Sequence, residues 1–277
     1  MSFFLRQLWK QKPSMYGPVS AVQRDIFLNA ERCGIDPGSI ALYLPMWGPG
    51  NQQDYGPGGL TGINSGVKYQ ENGLYYTTDN TITYPAHPAI NNYGPGPFTV
   101  ITQMNDIDIT YDDYIFQKEY FSLRIISSSS RQFSFGIDLY GQDIGNTYSY
   151  QPEGSLDSLA FVYDGGSSSS GLKFYRNGVF QTPNDPTEVI GGTATQDDSA
   201  EIFVIGNLTK TFMTSFLYVK AELEYSQIAL LSDHPYILLQ RNPQRRYFVS
   251  ATGLPTPVNL AGVPGFNSIT WSWESGA

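Results

Sequence analysis

The chain has 277 residues, 16 Lys+Arg against 25 Asp+Glu, and a formal charge of −9, long enough for one large domain or one domain with attachments. Charged residues make up only 15%, against about 25% in ordinary globular chains, and 28 Gly, 18 Pro, 20 Tyr and 16 Phe take their place. Turn formers with strand-forming aromatics predict an all-β protein and exclude a helical bundle. An aromatic share of 14% excludes a disordered chain, and the acidic balance excludes a general nucleic-acid binder, which needs a basic face.

One cysteine, Cys33, and two histidines, His87 and His234, rule out an internal disulfide, a thiolate zinc cluster and a multi-histidine site within one chain. Cys33 reads as a small buried hydrophobe. No stretch approaches the ~18 apolar residues of a spanning helix, so no membrane insertion is expected. The apolar run at the start is too short for a signal peptide, its basic residues follow it, and no small-residue cleavage pattern comes after. Synthesis in a cytoplasm without secretion is the expectation. On that expectation the glycosylation pattern Asn207-Leu208-Thr209 is a chance match.

Residues 1–39 form a distinct N-terminal arm. Phe3, Phe4, Leu5, Leu8 and Trp9 are interleaved with Arg6, Lys10 and Lys12. Ser20 caps a predicted helix over residues 21–32, and Gly34 sits where a helix stops. Two readings stay open: a helix packed on its own domain, or an arm docked on another subunit.

Residues 40–248 read as short strands separated by turns. Residues 40–44 open the series, and a Gly/Pro/Asn loop follows over 48–59. Strands are predicted at 97–104, 120–126 and 132–139, the last two alternating and joined by the serines of 127–130. Residues 156–163, 172–175 and 179–180 follow, with Asn177-Gly178 a type I′ hairpin signal. Strands at 201–206 and 216–219 and a short helix at 226–232 complete the part. Many short strands with regular turns mean a sandwich or barrel. Leu123, Ile125, Phe133 and Phe135 are expected in the core, because a one-residue slip would bury Arg124 and Ser134 instead.

Residues 249–277 form a C-terminal extension ending in Ile269, Trp271 and Trp273, an alternating aromatic-rich strand. One strand cannot bury such a face alone. Phe3, Phe4, Leu5, Leu8, Trp9, Trp271 and Trp273 are therefore expected to make assembly contacts, with both ends folding back on the sandwich as the alternative.

Three stretches in order carry a family resemblance. Leu159 to Gly165 with Leu172 to Val179 is similar to the central hairpin of the laminin-G-like, concanavalin A-like jelly roll. Ile202 to Asn207 is similar to a later strand of that family. Leu223 through Ser226-Gln227-Ile228-Ala229-Leu230-Leu231 to His234-Pro235-Tyr236 resembles the ending of its phage and prophage versions. The resemblance spans about residues 40–245 and implies a two-sheet antiparallel jelly-roll sandwich. Residues 249–277 resemble the first strands of a fibronectin type III domain. The family sometimes holds calcium, which makes Asp138, Asp143 and Asp164 candidate ligands, with Asp197 and Asp198 also in loops; acids that cap turns are the alternative. The family's usual acidic strand reads Met213 to Val219 here, which weakens that transfer. No other cofactor is expected.

Catalytic patterns are missing. A glycosidase of this fold needs two carboxylates ~5–5.5 or ~6.5–9.5 Å apart, and related glucanases place them on one strand. Asp106-Ile107-Asp108 is the nearest match, with Asp112-Asp113 after it, and all read as solvated loop acids. A Ser-His-Asp triad could use only His87 or His234, neither near a nucleophile elbow. Gly56 to Gly59 lacks the Lys-Ser/Thr of a phosphate loop. The chain is expected not to be an enzyme. Sugar binding uses exposed aromatics with polar neighbours, for which Tyr55, Tyr93, Tyr148 and Tyr150, expected in Gly/Asn-rich loops, are the candidates.

Two function classes compete. The first is a virion structural protein, a phage decoration, fibre or tail component with a lectin-like jelly roll for display or attachment. It would be an oligomer, bound to other virion proteins through its two ends, with glycan a possible partner. The absent secretion signal, the attachment-like ends, the phage-like ending motif and the uncharged Gly/Ser/Tyr-rich surface favour it. The second is a free carbohydrate-binding lectin module.

Overall fold

The computed structural model describes residues 19–46, 53–70, 73–77, 79–91, 96–105, 107, 113–118, 121–126, 132–139, 142–149, 156–188, 200–208, 210–240, 262–264 and 269–271. Helix α1 (Val19–Arg32) leads into β1 (Ile40–Leu44). Short strands follow: β2 (Ile63–Ser65), β3 (Lys68–Gln70), β4 (Gly73–Tyr76) and β5 (Thr81–Tyr84). Then come β6 (Phe98–Asn105), β7 (Asp113–Lys118), β8 (Phe121–Ile126), β9 (Gln132–Leu139) and β10 (Gln142–Ser149). The series continues with β11 (Asp157–Tyr163), β12 (Leu172–Arg176), β13 (Val179–Gln181), β14 (Asp185–Glu188), β15 (Phe203–Gly206) and β16 (Thr211–Val219). Helix α2 (Tyr225–Asp233) and a 3₁₀ turn (Ile237–Leu239) close the unit.

Two antiparallel sheets form a jelly-roll sandwich. The first runs β13-β12-β11-β6-β16-β4-β3, with β1 also on β16; the second runs β14-β10-β9-β8-β7-β15-β5-β2. Strand β16 is the hub of the first sheet. One edge pairs with β6, while the other pairs with β4 through Thr211–Met213 and with β1 through Phe216–Val219.

Alternation sets the register as expected. Leu123 pairs with Phe135 and Ile125 with Phe133 across β8 and β9, and all four are fully buried, with Arg124 and Ser134 half-exposed between them. Between the sheets the core is largely aromatic. Phe98 sits at its centre, with ring centroids 4.9 Å from Phe121, 5.5 Å from Tyr163 and 5.8 Å from Tyr218. Such pairs add about 0.5–1.5 kcal/mol each beyond area burial.

Away from its exposed edge strands β3 and β13 the first sheet is buried on both faces, and β1 and β11 are buried at every position. A second core forms on its outer face. Ile26 and Ala30 of α1, Ile228 and Leu231 of α2, and Tyr236 and Leu238 pack there against Tyr43, Ala160, Val162 and Leu217. Helix α1 stops as its sequence indicates. Gly34 is left-handed at φ 73, its N–H donates to Glu31, and the Ile35 N–H donates to Ala30, which satisfies the last carbonyls. Cys33 is buried in this layer, which pushes its thiol pKa up. The helix is thus packed on its own domain, joining residues 19–39 to the sandwich, whereas the sequence sets 1–39 apart as an arm.

Among the described residues no helix is long and apolar enough to cross a membrane. A second compact unit begins at Asn242. In it, β17 (Gly262–Pro264) pairs with β18 (Ile269–Trp271), Gly262 opposite Trp271, so the terminal strand has a partner within its own unit.

Candidate functional site

The β12–β13 hairpin builds the most distinctive surface among the described residues. Its turn residues Asn177 and Gly178 have φ 51 and 76, the all-positive geometry of a two-residue type I′ turn. Asn177 is pinned: its Oδ1 accepts from the Ser158 N–H at 2.8 Å, and its Nδ2 donates to Asp157 at 3.0 Å. Arg176 grips the same carboxylate with two bonds of 3.1 Å. Asp157 is 1% exposed, so this pair sets the hairpin from inside.

Alternation along β12 then sorts the side chains. Leu172 and Phe174 enter the inter-sheet core, Phe174 stacked on Phe161 at 4.6 Å. Lys173 and Tyr175 go to the outer face. The hairpin register places Tyr175 opposite Phe180. Tyr225, the first residue of α2, arrives from the other side. The Thr99 hydroxyl holds the approach to that helix, donating to Ala221 and accepting from Leu223, and the Glu224 N–H donates to Gln227. The α2 backbone passes so near the turn that a Cβ on Gly178 would stand 3.1 Å from Ala229 Cα.

Three rings meet as a result. Phe180 lies 5.6 Å from Tyr175 at 66°, and Tyr225 lies 6.2 Å from it at 39°. Tyr175 forms the floor at 9% exposure, while Phe180 and Tyr225 stand 49% and 59% exposed. Lys173 Nζ meets Glu222 Oε1 at 2.6 Å on the rim. That hydrogen bond, against some burial, raises the Lys173 pKa. With both partners about a third exposed, the pair contributes about 0–1 kcal/mol. Burial pushes the Tyr175 hydroxyl up; Lys173 opposes this, while Glu222 and Glu224 add to it. The arrangement offers flat apolar faces for stacking, with the charged groups of Lys173, Glu222 and Glu224 close enough to act on Tyr175.

This platform is not the set of tyrosines read from the sequence. Tyr148 lies in β10, not in a loop, and is fully buried. Its ring packs on Phe174 at 5.1 Å and its hydroxyl donates to the Leu172 carbonyl, so it is core rather than an open stacking ring. Tyr55 is half-buried against the second core and takes no part in the platform. Tyr93 and Tyr150 lie outside the described residues.

Of the calcium candidates, Asp164 is exposed and caps its own turn, accepting from the Gly166 N–H at 2.7 Å. Asp138 and Asp143 are direct cross-strand partners by backbone register in β9 and β10; their side chains, like Asp197 and Asp198, lie outside the described residues. Among the described residues no three His, Cys, Asp or Glu side chains gather as metal ligands. Asp113 is not a solvated loop acid: it begins β7 and is buried. Phe3, Phe4, Leu5, Leu8, Trp9 and Trp273 lie outside the described residues, and only the backbone of Trp271 falls within them.

Tyr175 and Phe180 were open to inference: a two-residue Asn-Gly turn makes its flanking positions cross-strand partners, which puts both rings on one face. The contribution of Tyr225 depends on where α2 lands, which no local pattern encodes.

No protein-family model matches the chain, and no curated protein matches it. Solved structures do. A structure of botulinum neurotoxin type C, whose cell entry is described as dependent on two ganglioside molecules, superposes with TM-score 0.55 at 14% identity, covering 74% of this chain and 52% of that one. The binding domain of Paraclostridial Mosquitocidal Protein 1 gives 0.53 at 11% identity, covering 71% and 52%. The botulinum neurotoxin serotype D ligand-binding domain, in complex with N-acetylneuraminic acid, gives 0.53 at 12% identity, covering 71% and 51%. The chain spans about half the length of these structures. At such identities the likeness establishes the fold: a β-sandwich jelly roll of the kind those binding domains contain.

Proposed function

We propose that this protein is a non-enzymatic attachment module, a lectin-like jelly roll that binds glycan on the Tyr175–Phe180–Tyr225 platform and is carried on a virus particle. The observation behind the glycan reading is the pair of half-exposed rings flanking Tyr175 beside the Lys173–Glu222 pair. Rings with adjacent polar groups are what a sugar face needs. Domains of similar fold in complexes with sialic acid or dependent on gangliosides lend weight to it. The buried carboxylates Asp54 and Asp157 are engaged by backbone N–H groups and by Arg176 respectively, so both have structural work. The virion reading rests on the phage-like ending motif at Leu223 to Tyr236 and on the apolar ends, which would join other virion proteins or further copies of this chain. Calcium, if bound at Asp138 and Asp143, would be separate from the platform chemistry.

The test is a glycan array with the full chain and with Phe180→Ala/Tyr225→Ala, folding checked by circular dichroism. Binding that the double variant loses is expected; no binding, or binding it retains, overturns the reading. Co-sedimentation with purified particles checks the virion part, and a protein found only free would be a lectin module instead.

A further inference from the structure

We infer that the platform takes a neutral saccharide and disfavours a sialylated one, an inference that rests on the glycan reading above.

The argument is one of charge placement. Among the described residues Lys173 is the cation that acts on Tyr175, and Glu222 already engages it at 2.6 Å. The next cation on the hairpin, Arg176, is closed by two bonds onto buried Asp157. Three carboxylates stand around Lys173 and Tyr175: Glu222, Glu224 and Asp164. A ligand carboxylate arriving on the rings would have to displace Glu222 from Lys173 and sit among acids. Sugar hydroxyls face no such conflict. They donate to the Glu222 and Glu224 carboxylates and accept from Lys173, while the ring face stacks on Phe180 or Tyr225. One unit charge about 4 Å from an uncompensated like charge is disfavoured about fivefold in water, and salt screens the effect. The whole chain adds to the bias, with its formal charge of −9.

The experiment compares glycan pairs that differ only by a terminal N-acetylneuraminic acid, titrated against the full chain at low and high salt. The neutral member is expected to bind about fivefold tighter at low salt, with the gap narrowing as salt rises. Glu222→Gln frees Lys173 and is expected to close most of the gap by improving the sialylated member. Tyr225→Ala is expected to weaken both members together. Equal or tighter binding of the sialylated member, still lost in Tyr225→Ala, overturns this inference and leaves the glycan reading standing. Binding untouched by Tyr225→Ala, or none for either member, removes the glycan reading and this inference with it.

Discussion

The side-chain amide of Asn29 donates to the carbonyl of Leu238 at 3.1 Å across 209 positions of chain, and to that of Gln240 at 2.8 Å. Asn29 is 5% exposed, so these bonds tie α1 to the end of the sandwich in a dry place. Asn29→Leu leaves the buried Leu238 carbonyl and the half-buried Gln240 carbonyl short of a donor and is expected to cost about 2 kcal/mol. For a unit of this size that lowers Tm by about 4–8 °C. An unchanged Tm in scanning calorimetry would mean that the helix is not held this way.

The platform rings separate binding from stability. Phe180→Ala and Tyr225→Ala remove half-exposed side chains, so each is expected to change unfolding free energy by less than about 1 kcal/mol. Each should still weaken glycan binding about tenfold, the loss of ~1.4 kcal/mol of stacking. Isothermal titration alongside urea denaturation checks both halves.

Gly178→Ala should act on fold and site together. Its φ of 76 is left-handed, and the new Cβ meets the α2 backbone at Ala229. A non-glycine residue there costs roughly 1–2 kcal/mol from conformation alone, and relief of the contact pushes α2 outward with Tyr225 on it. A fall in both Tm and glycan affinity is expected. A stability loss with affinity intact would show that Tyr225 does not depend on this approach.

Removing one side of the Asp157–Arg176 pair strands a buried charge. Arg176→Met is expected to cost about 3–5 kcal/mol, and Asp157→Asn/Arg176→Met to recover part of it. Equilibrium unfolding of the native protein, Asp157→Asn, Arg176→Met and the double variant gives the coupling directly.

Asp54 is fully buried, and its carboxylate accepts the N–H groups of Tyr43, Gly56 and Leu60 at 2.8, 2.6 and 3.3 Å. Burial outweighs these bonds and raises its pKa. The folded state therefore holds this proton more tightly than the unfolded one. The contribution of Asp54 is full below about pH 4, where both states are protonated, and is lost as pH rises through the folded value. Urea unfolding across pH should show stability falling upward from about pH 4 in the native protein relative to Asp54→Asn. A difference that grows with pH in the opposite sense would place the folded pKa below the ordinary range.

Legibility in the sequence followed side-chain alternation. Leu123, Ile125, Phe133 and Phe135 announce a strand pair because one face of β8 and β9 is polar. Asn177-Gly178 and Gly34 mark turns that only their backbone freedom allows. In β10 the same logic fails, because Asn146 takes a core position between Ile144 and Tyr148. Its amide donates to the Ser169 and Leu172 carbonyls, so a polar residue breaks the pattern and Tyr148 passes for a loop tyrosine. Strands β2 and β3 are exposed at every position and carry no alternation to read. The sandwich was therefore visible, while the platform, assembled from a hairpin and a helix start some 45–50 positions apart, was not.

The position of β16 sets a clock on biosynthesis. β1, β4 and β6 all take their central partner from Thr211–Val219, so none of them completes its sheet until that segment has left the ribosome. The roughly 170 residues between β1 and β16 take about 10–30 s to make at ordinary elongation rates. Once Leu139 has been made, the nascent chain holds the local β8–β9 hairpin with its aromatic face uncovered for the rest of that interval. Chaperone capture during translation, and aggregation of chains truncated before Thr211, follow from that delay.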